Sequence, residues 1–462
     1  VAQQALTDAG YENRPFNRDR TSVIFGAEAG TELAGAYGFR AVYPQLVGDL
    51  SESLSKRLPT LTEDSFPGVL ANVIAGRIAN RLDLGGVNFT VDAACASSLA
   101  AMDMALKELQ TGTSDMVLCG GADLHNSIND YLLFSSVHAL SKSGQCRSFD
   151  HEADGITLGE GVAVLVLKRL SDAEHDGDRI YATVKGLGGS SDGRSMGLTA
   201  PRSDGQVRAL ERAYDAAGLS PKQVGLMEAH GTGTVVGDRT ELETMERVLQ
   251  ESGAQPNTCA LGSVKTNIGH TKCAAGMAGL IKSALSIYHR VLPATLNIET
   301  PNPAYKADQS PFTLTNYSRP WLDTERFAGV SSFGFGGTNF HVILGAHGIG
   351  NTDSPTAWPA ELFLFRGENL AAALDTLTTL EQHIQANTTN RLIDLAYTVS
   401  NKSAAAPIQI AIVAESIDEL QSLLPLAQKN QSVPQRVFFQ SDVQGQMAML
   451  FPGQGSQRPG MM

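Results

Sequence analysis

Apolar residues recur along this chain with two periods that take turns. In VNFTV, Val87, Phe89 and Val91 fall on one side, as in a strand, and directly afterwards Leu99, Met102, Leu106 and Leu109 recur at helical spacing. DMVLCGG, after Gly112, is again a buried-strand pattern, so the unit reads strand, helix, strand, and such a crossover favours a parallel sheet. VAVLVLKRL (162–170) and IYATVKGLG (180–188) predict two more strands, joined by the charged turn SDAEHDGDR. QVRALERAYDAAGL predicts an amphipathic helix closed by Gly218, and VGLMEA and CALGSV predict further strands. The helix after GHTKC carries Ala274, Ala275, Gly276, Ala278 and Gly279, small side chains that let a helix pack backbone-close inside a layered core. The fold class is α/β.

After FHVILGAHGIGNTDSPTAWP glycine becomes rare and a fresh alternation starts. Strand LFLF precedes a helix with Leu370, Leu374, Leu377 and Leu380; strand IQIAIV precedes a helix opened by Ser416-x-x-Glu419. A first domain over 1–345 and a small α/β unit over 346–445 are expected.

Composition narrows the class. The 462 residues, 42% hydrophobic and 18% charged, suffice for a large core and more than one structural unit. A net charge of -13 disfavours nucleic acid and anionic membranes as partners. The 5 cysteines are odd in number, scattered and without a CxxC pair, which argues against a disulfide framework and for a cytoplasmic, reducing location. No apolar run approaches the roughly 20 residues of a membrane span, and VAQQALTDAGY looks like an amphipathic helix rather than a signal peptide.

Chemistry enters with Cys95, in VDAACASSLAAMDMAL, where a strand pattern turns into a helix among residues too small to cover a thiol. Amide groups at a helix start lower a thiol's pKa, so the placement suits a nucleophile. Taken alone it suits a buried structural cysteine better, as Cys119 within VLCGG does. Two histidines shift the balance: His230 in EAHGTGT and His270 in KTNIGHTKCAAG each follow a strand in a glycine-rich loop, and Lys265 precedes His270. SSFGFGGTNFH (331–341) places glycines around Phe333 and Phe335. No GxGxxG opens a helix after a strand there, which disfavours a dinucleotide site, and the spacing of Cys95, His230, His270 and Cys273 is poor for zinc. No tightly bound cofactor and no metal are expected.

Together VDAACASSLAA, EAHGTGT, KTNIGH and SFGFGGTN, with SFDHEADGITLGEGVAVLVLKRL between the first two, resemble the β-ketoacyl synthase (ketosynthase) domains of type I polyketide and fatty acid synthases. The resemblance implies a thiolase-type fold of two similar α/β halves stacked in five layers. It implies that Cys95 accepts an acyl chain from the phosphopantetheine arm of an acyl carrier protein, while His230 and His270 hold the malonyl thioester and assist its decarboxylation. Lys265 then organises the histidines, the backbone N–H groups of Cys95 and Phe335 form an oxyanion hole, and Phe335 gates the acyl pocket. Thr232, Thr234 and Asn267 are supporting positions carried by the same motifs. A homodimer pairing through strand 87–91 is implied as well. MLFPGQGSQ (449–457) resembles the opening of a malonyl-type acyltransferase domain, which makes 346–445 the linker and 446–462 the start of that downstream enzyme.

The chain also departs from the family. VVGDRTE has Arg239 where a proline is expected at a helix start, although the capping pair Asp238 and Glu241 remains. This variant and DLHNSINDYLLFSSVHAL look like iterative synthases of polyunsaturated fatty acid, enediyne or heterocyst-glycolipid type. The family's opening strand is missing, so the first half is expected to lack a central strand and the chain to be an N-terminally truncated piece. A non-catalytic dimerisation scaffold, or a domain that only transfers acyl chains, stays open at this point. Decarboxylase-only and chain-length domains characteristically replace the cysteine, and a thiolase carries a second one near its C-terminus, whereas no cysteine follows Cys273.

Overall fold

The computed structural model describes residues 1–29, 32–194, 197–198, 200–348, 359–386, 391–403 and 405–440. The chain divides into two compact units, Val1–Asn351 and Thr352–Met462.

In the first unit β1 (Thr21–Gly26), β2 (Asn88–Val91), β3 (Met116–Asp123) and β4 (Gly161–Leu167) form one sheet in the order β2-β1-β3-β4. Its β1 is parallel to both neighbours, and β4 runs antiparallel to β3. The next strands are β5 (Thr183–Ser191), β6 (Leu226–Glu228), β7 (Cys259–Gly262), β8 (Val291–Leu292), β9 (Phe312–Thr313), β10 (Arg319–Pro320), β11 (Phe327–Gly334) and β12 (Thr338–Gly345). Six of them build a second sheet, β5-β12-β11-β6-β7-β9, while β8 and β10 form a short ladder. The sheets repeat one plan: β2, β1, β3 and β4 correspond in direction and order to β7, β6, β11 and β12.

Side-chain alternation sorts the layers. Ile24, Val117 and Cys119 point into the middle of the unit, where helices Ser97–Gln110 and Ala275–His289 pack through Leu99, Met102, Met277 and Leu280. Leu226, Ala260 and Val342 of the second sheet close this middle layer from the other side. Their sequence neighbours Val23, Phe25 and Leu118 face an outer layer with helices Ala2–Asp8 and Val73–Leu82. Met227, Leu261 and Ile343 face helices Ser203–Ala217 and Val235–Glu251. Helices and sheets therefore alternate in five layers, as the thiolase-type fold requires. The glycines of the central helix are explained by this packing: a Cβ on Gly276 would lie 2.7 Å from Cγ of Leu99.

Three expectations are corrected. The link between the strands over 162–170 and 180–188 is not a simple turn: it contains helix Leu170–His175, and it carries the chain from β4 in one sheet to β5 in the other. Its acids are drawn off by Lys168, whose Nζ lies 2.5 Å from Asp176 and 2.6 Å from Asp178. The first sheet also has no central gap. It is continuous from β2 to β4, and the position without a counterpart is the outer edge of β4, where the second sheet has β5. Finally, Arg239 does not stand at a helix start, because that helix opens at Val235.

The second unit is an antiparallel sheet of β13 (Glu361–Arg366), β14 (Ile408–Ala414) and β15 (Val437–Phe439), in that order. Helices Leu370–Ala386, Leu392–Asn401 and Ile417–Gln428 pack on it around Phe363, Phe365, Leu377, Ile410 and Leu420. Ser416 caps the last helix by accepting from the amide of Glu419 at 3.1 Å. Helix Leu392–Asn401 and β15 were not foreseen. The segment 446–462 lies outside the described residues.

Candidate active site

Cys95 sits where β2 runs into the middle layer, in the tight turn Ala94–Ala96 ahead of helix Ser97–Gln110. The turn is sharp enough to put Ala94 at φ 50, a left-handed conformation that costs an alanine about 1–2 kcal/mol. Its surroundings over-determine it. Ser97 Oγ accepts from the amide of Ala93 at 2.8 Å and donates to the carbonyl of Ala94 at 2.6 Å, and Asp92 accepts from the amide of Ala94. From β11, Ser332 Oγ donates to the carbonyl of Cys95 at 2.6 Å. Gly334, at the end of β11, leaves room for this turn, since a Cβ there would lie 2.3 Å from the carbonyl oxygen of Ala93.

Cys95 as a residue is 8% exposed. Burial pushes its pKa up to about 11, against the pull of Lys265. This reverses the thiolate expected from a helix start: in the closed site, desolvation of the sulfur outweighs the favourable amides.

His230 follows β6. Its amide donates to Glu241 Oε1 at 2.7 Å and that of Gly231 to Oε2 at 2.8 Å, while its carbonyl accepts from Lys265 Nζ. Asp238 holds the other end of the loop, accepting from the amides of Phe149 at 2.7 Å and Gly233 at 3.0 Å. Burial raises Asp238 to about 6 and Glu241 to about 7, opposed by those amide bonds. Sequence reasoning took this pair for helix caps; the i, i+3 spacing of two acids one turn after a glycine-rich loop is the signal that could have marked a loop clasp.

His270 is anchored by its amide to the carbonyl of Thr157 at 2.7 Å. Its Nδ1 accepts from the amide of Lys272 at 3.0 Å, so the ring proton resides on Nε2. The two imidazoles meet edge-on with centroids 5.6 Å apart, and His230 also packs on Phe333. Burial first, then Lys265, hold both pKa values well below 6.5, so both rings are neutral donors. Lys265, 3% exposed, is itself lowered by burial.

Cys95, His230 and His270 line one cavity of about 100 Å³, together with Thr232, Thr234, Phe333 and Phe335. The hydroxyls of Thr232 and Thr234 lie 3.0 Å apart at its side. Phe335, 44% exposed, stands on the turn between β11 and β12 with its ring 6.5 Å from that of Phe134. Asn267 is not brought in: it is exposed on the short turn Lys265–Ile268 and outside the cavity lining. Asp192, Gln206 and Asn339 line the cavity without having been foreseen, and Asn339 donates to Asp192 at 2.8 Å. Among the described residues, Glu28, Asp123 and His125 bring three potential ligand atoms together, but the Lys272 ammonium already lies 2.8 Å from Asp123 Oδ1, where a cation would sit.

Cys95 and two neutral imidazoles thus line one pocket on a five-layer fold, an arrangement suited to thiol-based acyl transfer. The chain belongs to the β-ketoacyl synthase family. The family's N-terminal domain matches residues 1–173, its C-terminal domain 181–299, and the ketoacyl-synthetase C-terminal extension 301–408. A polyunsaturated fatty acid synthase polypeptide from Thraustochytrium sp. is 39% identical over 363 residues, 74% of this chain and 13% of that protein. A phenolphthiocerol/phthiocerol polyketide synthase polypeptide from Mycobacterium tuberculosis is 40% identical over 346 residues, 74% of this chain and 18% of that protein. The chain thus spans under a fifth of the length of these relatives. The ketosynthase from module 6 of the bacillaene synthase of Bacillus subtilis superposes with a TM-score of 0.66 at 31% identity, covering 95% of this chain and 71% of that one.

Proposed function

We propose that this chain extends a polyketide or fatty acid chain by decarboxylative Claisen condensation, as the condensing domain of an iterative synthase. The observation that carries this reading is the convergence of Cys95, His230 and His270 on one cavity. An acyl thioester on the phosphopantetheine arm of an acyl carrier protein is attacked by Cys95, whose proton leaves with the arm's thiol. Malonyl thioester then loses CO₂; the electron pair left behind is delocalised onto the thioester oxygen, where two neutral N–H donors stabilise it without bringing charge of their own. That carbanion attacks the Cys95 thioester and the sulfur departs, ready for another cycle. The amides of Cys95 and Phe335 serve the tetrahedral intermediate, Phe335 gates the acyl side, and Thr232 and Thr234 offer hydroxyls to the amides of the arm.

Residues 1–345 are assigned to the ketosynthase, 346–445 to the linker and 446–462 to the start of an acyltransferase. The separate core of the second unit supports the division. A homodimer through β2 is supported by its edge position, with β1 as its one neighbour among the described residues. Five buried, unpaired cysteines fit a cytoplasmic location, and no helix among the described residues is long and apolar enough to cross a membrane.

The test is iodoacetamide labelling mapped by mass spectrometry alongside malonyl-carrier turnover. Label confined to Cys95, with loss of turnover, is expected; turnover that survives stoichiometric labelling of Cys95 sinks the reading.

A further inference from the structure

Directly behind His270 lies a buried ion pair that touches no reacting atom. Lys272 is 4% exposed, and its backbone is left-handed at φ 44, a conformation that strains any residue but glycine. Its head is held from several sides. Nζ donates to the carbonyl of His125 and to Oδ1 of Asn126, each at 2.7 Å, and lies 2.8 Å from Oδ1 of Asp123. Asp123, at the end of β3, is 2% exposed; its Oδ1 is also 3.3 Å from Nδ1 of His125, whose Nε2 meets Glu28 at 2.7 Å. With its head fixed on the first sheet and its backbone fixed beside His270, Lys272 directs its amide at His270 Nδ1.

We propose that the Asp123–Lys272 ion pair is a positioning device for His270. By holding Lys272 in its left-handed geometry it keeps the Lys272 amide on Nδ1, so that the imidazole proton stays on Nε2, the ring nitrogen left to serve the cavity. A buried ion pair adds little net stability, because desolvation of both charges offsets their attraction; its effect lies in the geometry it imposes. The proposal rests on the reading of His270 as a donor to the malonyl thioester.

It is tested in the full-length protein with Asp123→Asn, which keeps the side-chain shape, with Lys272→Met, which keeps the stem, and with Lys272→Arg, which keeps the charge. The readouts are malonyl-carrier decarboxylation, acylation of Cys95 by acyl carrier, and the His270 tautomer by ¹⁵N NMR. Expected are a fall of about 10- to 100-fold in the kcat of decarboxylation at unchanged KM, acylation of Cys95 within about twofold of the parent, and loss of a pure Nε2–H signature. The double variant D123N/K272M should be no worse than the worse single, and Lys272→Arg should recover part of the loss. Parent-like decarboxylation and an unaltered tautomer in folded Asp123→Asn and Lys272→Met overturn the proposal, as does an equal loss of acylation and decarboxylation. Should Lys272→Met fail to fold, an unaltered tautomer in Asp123→Asn alone overturns it. A parent protein that neither decarboxylates nor condenses sinks the functional reading instead, while the tautomer measurement decides the positioning proposal either way.

Discussion

The carboxylate of Glu241 accepts from two successive backbone amides, Oε1 from that of His230 at 2.7 Å and Oε2 from that of Gly231 at 2.8 Å. A side chain nearly two turns into the helix Val235–Glu251 thereby sets the height of an imidazole in the loop before it.

Replacing Glu241 by Gln keeps the volume but turns one acceptor into a donor facing an amide N–H. An unsatisfied buried donor pair costs about 1–3 kcal/mol, so kcat should fall roughly 5- to 150-fold while Cys95 still accepts iodoacetamide. Steady-state kinetics beside a labelling rate would check this; unchanged kcat counts against the clasp.

The raised pKa of Cys95 has a direct kinetic reading. With the thiol at about 11, thiolate is the minor species at neutral pH, and the alkylation rate should climb roughly tenfold per pH unit between about pH 7 and 9. A plateau reached below pH 8 would show a thiol already ionised in the resting site.

Gly334→Ala should damage the turn that carries the nucleophile. The new methyl meets the Ala93 carbonyl oxygen, a backbone atom that cannot rotate aside, and such overpacking costs about 1–3 kcal/mol. A Tm lower by roughly 2–10 °C is expected, with slower labelling of Cys95. A parent-like Tm and labelling rate contradict it.

Arg239→Ala should change little. The side chain is 68% exposed and pairs with Glu243 at i, i+4, an interaction worth about 0.3–0.5 kcal/mol. Stability within about 0.5 kcal/mol and unchanged turnover are the expected results of denaturant titration and assay.

Much of the fold was legible because local periodicity is a backbone property. The alternation in 87–91 and the helical recurrence from Leu99 to Leu109 map onto β2 and helix Ser97–Gln110, and Gly218 closes its helix at φ 63. The pairing of β4 was not legible, because two apolar runs with a charged link look alike whether they share a sheet or sit in two. The short helix Leu170–His175 was hidden for the same reason: it is held by Lys168 and its acidic partners, not by an apolar stripe.

At the site the division is similar. Four ordered motifs, with Cys95, His230 and His270 within them, were readable as residue types in turns and glycine-rich loops, since such chemistry needs those atoms whatever surrounds them. Their ionisation was not readable. The helix start argued for a thiolate, but burial depends on which layers close over the sulfur, and that is decided only when Ser332, Gly334 and the second sheet arrive against the Cys95 turn. The tautomer of His270 likewise waits on Lys272 being drawn to Asp123, a contact between the two halves that no local pattern encodes.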